Sequence, residues 1–207
     1  MRRPLAIARQ SGHPRGWLGR AIAAIMVHET AAINRTVITA LNVEPGDHVL
    51  DIGCGCGRTA RLLLHHPYVR SYVGFDVIKP YVEWCTRFLS PLTQERFQFV
   101  HLDVQSDHYN PLGTLSADDV RFPFADGSFS LAFAASLFTH LKEPAARQYL
   151  AEARRVLAPG GLLIASVHVE PEAQSGYAGG EFRAEFRQEY FVSLASEVGL
   201  ALRTNLG

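Results

Sequence analysis

The sequence has few cysteines, no excess of charge and no long hydrophobic run. Its 207 residues carry 20 basic and 20 acidic side chains, so the net charge is zero and no global charge attracts nucleic acid. Three cysteines are too few for a disulfide framework, which fits a reducing compartment. No apolar run reaches the length of a membrane span, which is about 18 residues. We therefore expect a cytoplasmic protein with no membrane span and no nucleic-acid partner.

Two of the cysteines, Cys54 and Cys56, lie in the stretch VLDIGCGCGRTARLL at residues 49–63. This C-x-C pair lacks a second pair of Cys or His residues at the spacing of a zinc site. We therefore expect no metal here, and we interpret the thiols as small side chains that fit a tight turn.

From residue 43 onward, apolar runs alternate with amphipathic segments. The predicted strands cover 48–52, 71–76, 96–103, 128–136 and 162–169. The predicted helices cover 57–66, 80–90, 143–157 and 188–200. This alternation is typical of an α/β fold, in which a mostly parallel sheet has helices on both faces. Apolar residues at helical spacing in 17–41 predict an N-terminal helical cap over residues 1–42, followed by one α/β domain over 43–207.

Polar residues follow four of the predicted strands. Asp51, Asp76 and Asp103 come at the first three strand ends, and Ser136 follows the fourth. In open parallel sheets, ligands bind outside the carboxyl ends of the strands, where the strand order reverses. A single aspartate after a strand is typical of a turn or a helix cap. Three aspartates at successive strand ends instead predict a binding site.

The glycines of the first motif define what this site can hold. Gly53, Gly55 and Gly57 follow a strand and precede a helix, where a ligand can approach a backbone that has no Cβ. The dinucleotide fingerprint G-x-G-x-x-G/A requires a small residue where this chain has Arg58. A P-loop would end in G-K-S/T, and that lysine is missing. Because Asp51 would repel phosphate and attract a positive charge, the loop favours a cationic ligand.

The stretch DIGCGCG (51–57) resembles the first motif of the class I S-adenosylmethionine-dependent methyltransferases, in which an acidic residue precedes spaced glycines. The resemblance continues in order through the segments 74–85, 99–104, 121–141, 149–166 and 189–202. It therefore covers most of the chain, and the ordered set is more specific than the glycine motif alone.

The resemblance implies a Rossmann-like fold, with S-adenosylmethionine as cofactor and S-adenosylhomocysteine as product. In the family, an acid at the end of the second strand receives both ribose hydroxyls, and Asp76 is the matching residue. Val77 would border the adenine, and Asp103 would accept a hydrogen bond from the adenine amino group. The implied cofactor-binding residues are Asp51, Gly53, Cys54, Gly55, Gly57, Asp76, Val77, Asp103, Val104 and Ser136.

The sequence departs from the family pattern at two places. Ser130 stands where family members usually carry an acid. The family sheet also finishes with an antiparallel hairpin, whereas this sequence leaves room for only the first of its two strands. We therefore expect a sheet that is short of the last antiparallel strand. Since an unpaired edge can recruit a second chain, we expect a homo-oligomer through that edge.

Methyl transfer depends mainly on holding donor and acceptor in line, and a base is needed only if the acceptor must lose a proton. His140, in the segment SLFTHL after the fourth strand, is the candidate catalytic base. An equally good interpretation is a loop histidine that is bonded to the backbone. Tyr109 and His108, which follow Asp103, are weaker candidates.

The sequence therefore predicts an S-adenosylmethionine-dependent methyltransferase that acts on a small-molecule acceptor. Two alternatives remain open. One is a non-catalytic module that binds the same cofactor. The other is a nicotinamide-dependent oxidoreductase on a similar sheet, which the glycine spacing and Arg58 disfavour.

Overall fold

The computed structural model describes Thr39 and residues 41–203. Most of the predicted cap over residues 1–42, and residues 204–207 of the predicted domain, lie outside the described residues. Both domain boundaries therefore stay predictions. Among the helices of the described part, none combines the length and hydropathy that a membrane crossing requires.

The main sheet has five strands: β1 (Asp47–Ile52), β2 (Val69–Asp76), β3 (Phe97–His101), β4 (Phe129–Ala134) and β5 (Leu157–Ala165). Their order is β3-β2-β1-β4-β5, and every neighbouring pair is parallel. The chain winds outward from β1 through β2 to β3, and then continues on the other side of β1 with β4 and β5. The strand order therefore reverses between β1 and β4, where sheets of this type bind ligands.

Helices cover both faces of this sheet: α1 (Ala60–Leu63), α2 (Lys79–Phe88), α3 (Glu143–Val156) and α4 (Gln188–Glu197), with short 3-10 helices η1 (Ser90–Thr93) and η2 (Phe138–His140). Side chains of β4 alternate between two core clusters. Leu131 and Phe133 pack in the cluster that contains α1 and α2 residues, whereas Ala132 and Ala134 pack in the cluster of α3 and α4. This arrangement confirms the predicted Rossmann-like α/β fold with helices on both faces.

A second, smaller sheet follows β5, and the sequence analysis missed it. It consists of β6 (His168–Val169), β7 (Tyr177–Gly180) and β8 (Arg183–Phe186) in the order β6-β8-β7. The prediction of one strand over 162–169 is wrong, because the chain leaves the main sheet after Ala165. Strands β7 and β8 are antiparallel, so Glu181 and Phe182 form the tip of a hairpin.

The two departures from the family pattern concern the edge of the main sheet and Ser130. Within residues 41–203, the main sheet has no antiparallel strand, so neither strand of the family hairpin is present in this part of the chain. Ser130 has its own partners: its hydroxyl donates to Asp47 Oδ1 at 2.7 Å and accepts from the His48 amide at 3.0 Å. The serine therefore ties β4 to the start of β1. The homo-oligomer through the sheet edge stays a prediction.

Candidate cofactor and acceptor site

The glycine loop follows β1 as a series of turns. Gly53, Gly55 and Gly57 all have positive φ, at 79°, 53° and 72°, which is a region that other residues rarely adopt. The amides of Gly53 and Cys54 both donate to the carbonyl of Phe75 at 2.9 Å, which fixes the loop to the end of β2. Because the chain is still turning at Gly57, α1 is shorter than the predicted helix over 57–66.

The three glycines have different surroundings. A Cβ built on Gly57 would lie 2.6 Å from Leu89 Cδ1, and one on Gly53 would lie 3.1 Å from Leu137 Cδ1. A Cβ built on Gly55 would meet nothing within 4 Å. Gly53 and Gly57 therefore allow close packing within the protein, whereas Gly55 leaves a cradle on the open side of the loop.

Asp76, at the end of β2, holds this loop from the neighbouring strand. Its Oδ2 accepts from the Gly55 amide at 2.7 Å, and its Oδ1 accepts from the Ile78 amide at 2.9 Å. Burial raises the pKa of Asp76, and these backbone hydrogen bonds partly oppose that effect. Each carboxylate oxygen can accept more than one hydrogen bond. Asp76 therefore keeps acceptor capacity for the two hydroxyls of a diol.

Asp51 lies behind the loop and is only 2 % exposed. Its carboxyl accepts a short hydrogen bond from the hydroxyl of Tyr72 in β2. Burial raises the pKa of Asp51 to about 7; the bond from Tyr72 lowers it, and the nearby charge of Asp76 raises it further. Sequence reasoning missed Tyr72, although a tyrosine in a buried strand requires a partner for its hydroxyl. Direct contact between Asp51 and a cofactor stays a prediction.

Asp103 lies beyond β3 and braces the loop that follows. It accepts from Asn110 Nδ2 and from Thr114 Oγ1, each at 2.9 Å. These bonds, with that of Asn110 first, lower the pKa of Asp103. Val104 is 2 % exposed and belongs to the core. Both residues have structural roles here, and their contact with a cofactor stays a prediction, as does that of Val77.

Cys54 fills a tight space under the loop. A Cβ on Gly74 would come within 2.8 Å of Cys54 Cβ. The thiols of Cys54 and Cys85 both donate to the Gly55 carbonyl, at 3.7 and 3.8 Å. Burial raises the pKa of both thiols, which keeps them protonated. Both thiols therefore help to fix the position of Gly55.

Ser136 follows β4 in a left-handed conformation, with a φ of 62°. Its amide donates to Ser166 Oγ at 2.7 Å, and its carbonyl accepts from Thr139 Oγ1 at 2.7 Å. A non-glycine residue held in this region is a feature of functional sites. Sequence reasoning missed Ser166, which directly follows β5 and accepts the hydrogen bond that fixes the segment after β4.

His140 ends η2 and is held by the hairpin tip. Its ring Nδ1 lies 3.0 Å from the carbonyl oxygen of Glu181. Because a carbonyl only accepts, Nδ1 carries the proton and Nε2 has the lone pair. Burial lowers the pKa of His140, which favours this neutral form. His140 is therefore bonded to the backbone through Nδ1, as the alternative interpretation expects, and its Nε2 is left as a candidate base.

The three candidate bases lie together. The Tyr109 ring stands nearly perpendicular to the His140 ring with 5.3 Å between their centroids, and the His108 ring lies 4.6 Å from that of Tyr109. Burial raises the pKa of Tyr109 to about 12, and the charge of Asp76 adds to this effect. Tyr109 therefore contacts His140 and is near enough to Asp76 to sense its charge.

Comparison with known families identifies this architecture. A family model described as a methyltransferase domain matches residues 49–161, which is more than half of the chain. The chain belongs to the methyltransferase-domain family. The predicted class I methyltransferase resemblance and the predicted cofactor, S-adenosylmethionine, are thereby confirmed, and the nicotinamide alternative is wrong.

Individual relatives of this methyltransferase domain agree with the assignment. O-methyltransferase cnsE of Penicillium expansum is 30% identical over 135 residues, which is 64% of this chain and 42% of that protein. A methyltransferase from Aquifex aeolicus has the same fold, with 18% identity, a TM-score of 0.56 and coverage of 80% and 78% of the two chains. Geranyl diphosphate C-methyltransferase from Streptomyces coelicolor, solved with S-adenosylhomocysteine, has 14% identity and a TM-score of 0.61, with coverage of 90% and 67%. The chain spans about a third to a half of the curated relatives it matches.

Proposed function

We propose that this chain transfers the methyl group of S-adenosylmethionine to a hydroxyl group of a small molecule. The observation that carries the proposal is the neutral His140, whose Nδ1 is bonded to a carbonyl and whose Nε2 is left as a base. A relative named as an O-methyltransferase supports the same acceptor chemistry.

The residues on the donor side fit the cofactor. Bound S-adenosylmethionine supplies a methyl group activated by a positively charged sulfur. Asp76 provides carboxylate oxygens for a diol, and the cradle at Gly55 gives access to the backbone. Asp76, together with the partly ionised Asp51, places negative charge at this end of the sheet, which attracts a cationic ligand. Their role is to bind and orient, which can contribute about 7–11 kcal/mol to a two-reactant step.

On the acceptor side, His140 would handle the proton. Nε2 of His140 would accept the hydroxyl proton as the acceptor oxygen is methylated, and the bound cofactor would supply the methyl group and remain as its uncharged thioether product. Tyr109, which is largely buried next to His140, would exclude water from this side.

His140→Ala is expected to reduce methyl transfer by about 10²- to 10⁴-fold, the usual contribution of a general base. Binding of S-adenosylmethionine should change little. Because the pKa of His140 lies below its ordinary value, the wild-type rate should fall only as the pH drops below about 6.5. The variant should lack that dependence. Mass spectrometry of methylated products from a panel of hydroxylated aromatic compounds measures both effects.

The matched control is His65→Ala, because His65 is an exposed histidine in the turn after α1 and the acceptor side is built from other segments of the chain. An unchanged rate in His140→Ala would remove the histidine from the mechanism. Cofactor binding without turnover of any hydroxyl acceptor in the panel would instead favour the non-catalytic module.

A further inference from the structure

The tip of the β7–β8 hairpin makes three polar contacts through one residue, Glu181. Its Oε2 accepts from Ser106 Oγ at 2.8 Å, its Oε1 lies 3.2 Å from Lys142 Nζ, and its backbone carbonyl accepts from His140 Nδ1 at 3.0 Å. The Glu181 side chain is only 15 % exposed. Glu181 therefore joins the hairpin to two other parts of the chain, the loop after β3 and the segment 140–142.

Lys142 strengthens the same connection. Besides Glu181, its ammonium contacts Asp107 Oδ2 at 3.0 Å. Lys142 follows η2, and both Ser106 and Asp107 belong to the loop after β3. The carboxylate of Glu181 is thus bonded on both of its oxygens, which fixes the position of the hairpin tip above His140.

The hairpin itself holds the tip in one shape. Gly179 has a φ of 88°, and a Cβ there would lie 2.0 Å from the carbonyl oxygen of Arg183. Gly180 pairs directly with Arg183, which leaves a two-residue turn. Because a turn this tight has little freedom, fixing the Glu181 carboxylate also fixes the direction of its carbonyl.

We propose that Glu181 is a positioning residue whose carboxylate locks the hairpin tip, so that its carbonyl holds His140 in the Nδ1–H form with Nε2 as the basic nitrogen. This inference deepens the proposed function and rests on it for the catalytic meaning of the tautomer. The tautomer itself is a property of the folded chain and requires no acceptor.

Other titratable groups also face His140. They include Tyr109 and His108 on the loop after β3, His168 on β6, and Glu181 on the hairpin tip. Burial lowers the pKa of His140, while the bond to the Glu181 carbonyl raises it. Releasing the hairpin would weaken both effects on the pKa of His140, and because they act in opposite directions the net change in pKa would be small. The hydrogen bond to the Glu181 carbonyl favours one tautomer, so the tautomer is the informative measurement.

The experiment is long-range ¹H–¹⁵N NMR of the histidine rings in the ¹⁵N-labelled 207-residue chain at pH 8, with the His140 signals assigned by their loss in His140→Ala. Wild type should show a protonated Nδ1 and an unprotonated Nε2. In Glu181→Ala, the two nitrogen shifts should move toward the reverse pattern. The matched control is Glu185→Ala on the same hairpin, because the Glu185 carboxylate pairs with Arg183 of the same strand. It should leave the wild-type pattern unchanged.

A second variant keeps the test decisive if Glu181→Ala does not fold. The double substitution Ser106→Ala with Lys142→Met removes both partners of the Glu181 carboxylate while residue 181 stays in place, and it should produce the same change. A protonated Nε2 in wild type, or an unchanged Nδ1–H form in the folded variants, would overturn the inference. Because the readout involves no turnover, these outcomes are distinct from failure of the proposed methyl transfer.

Discussion

Gly55→Ala is expected to weaken binding of S-adenosylmethionine by about 10- to 100-fold, which corresponds to about 1.4–2.8 kcal/mol. A Cβ at this position meets no protein atom within 4 Å, so the methyl group would occupy the cradle that faces the ligand. The backbone φ of 53° adds a cost to folding of about 1–2 kcal/mol for a residue other than glycine. The variant should therefore still fold, but it should bind the cofactor poorly. Calorimetric titration and thermal denaturation measure the two quantities separately.

Gly57→Ala is the matched control for this prediction. A Cβ there would lie 2.6 Å from Leu89 Cδ1 and 3.0 Å from Cys85 Sγ. Overpacking of this kind costs about 1–3 kcal/mol in addition to the backbone strain. Gly57→Ala should therefore lose more stability than Gly55→Ala. Wild-type affinity in a folded Gly55→Ala protein would mean that the cofactor does not approach this side of the loop.

Asp76→Ala is expected to reduce cofactor affinity by about 100-fold or more. The substitution removes the proposed acceptor of the diol and also releases the amides of Gly55 and Ile78. Hydrogen bonds to a charged group contribute about 1.5–3 kcal/mol each. Since one of these bonds holds the glycine loop and the other holds the turn after β2, the free energy of unfolding should fall as well.

Two comparison variants separate these effects. Asp76→Asn retains the shape and one carbonyl oxygen, so it should be more stable than Asp76→Ala while still binding the cofactor weakly. Asp118→Ala, an exposed aspartate on the loop before β4, should match wild type in both measurements. Unchanged affinity in Asp76→Ala would place the ribose elsewhere.

The donor side of the site could be predicted because the topology brings strand ends together. Asp76 lies close to Asp51 and Gly55 because β1 and β2 are parallel neighbours. Apolar runs and spaced glycines are strong local signals for such a unit. The sequence could not show that Asp76 bonds the Gly55 amide, because that contact depends on the conformation of the loop.

The acceptor side could be predicted much less well. Glu181 contacts His140 across 41 residues, and it belongs to a sheet whose strands are only two to four residues long. Strands this short carry too little alternation to be recognised. The bond between Tyr72 and Asp51 also escaped prediction, since it depends on how adjacent strands align and not on any local pattern.

The most direct test of the account is calorimetric titration of the purified chain with S-adenosylmethionine, S-adenosylhomocysteine and NAD side by side. The structure places an acid-flanked glycine loop at the point where the strand order reverses. The account predicts saturable one-to-one binding of both sulfur compounds and none of NAD. A folded chain that binds neither sulfur compound, or that binds NAD instead, would contradict it.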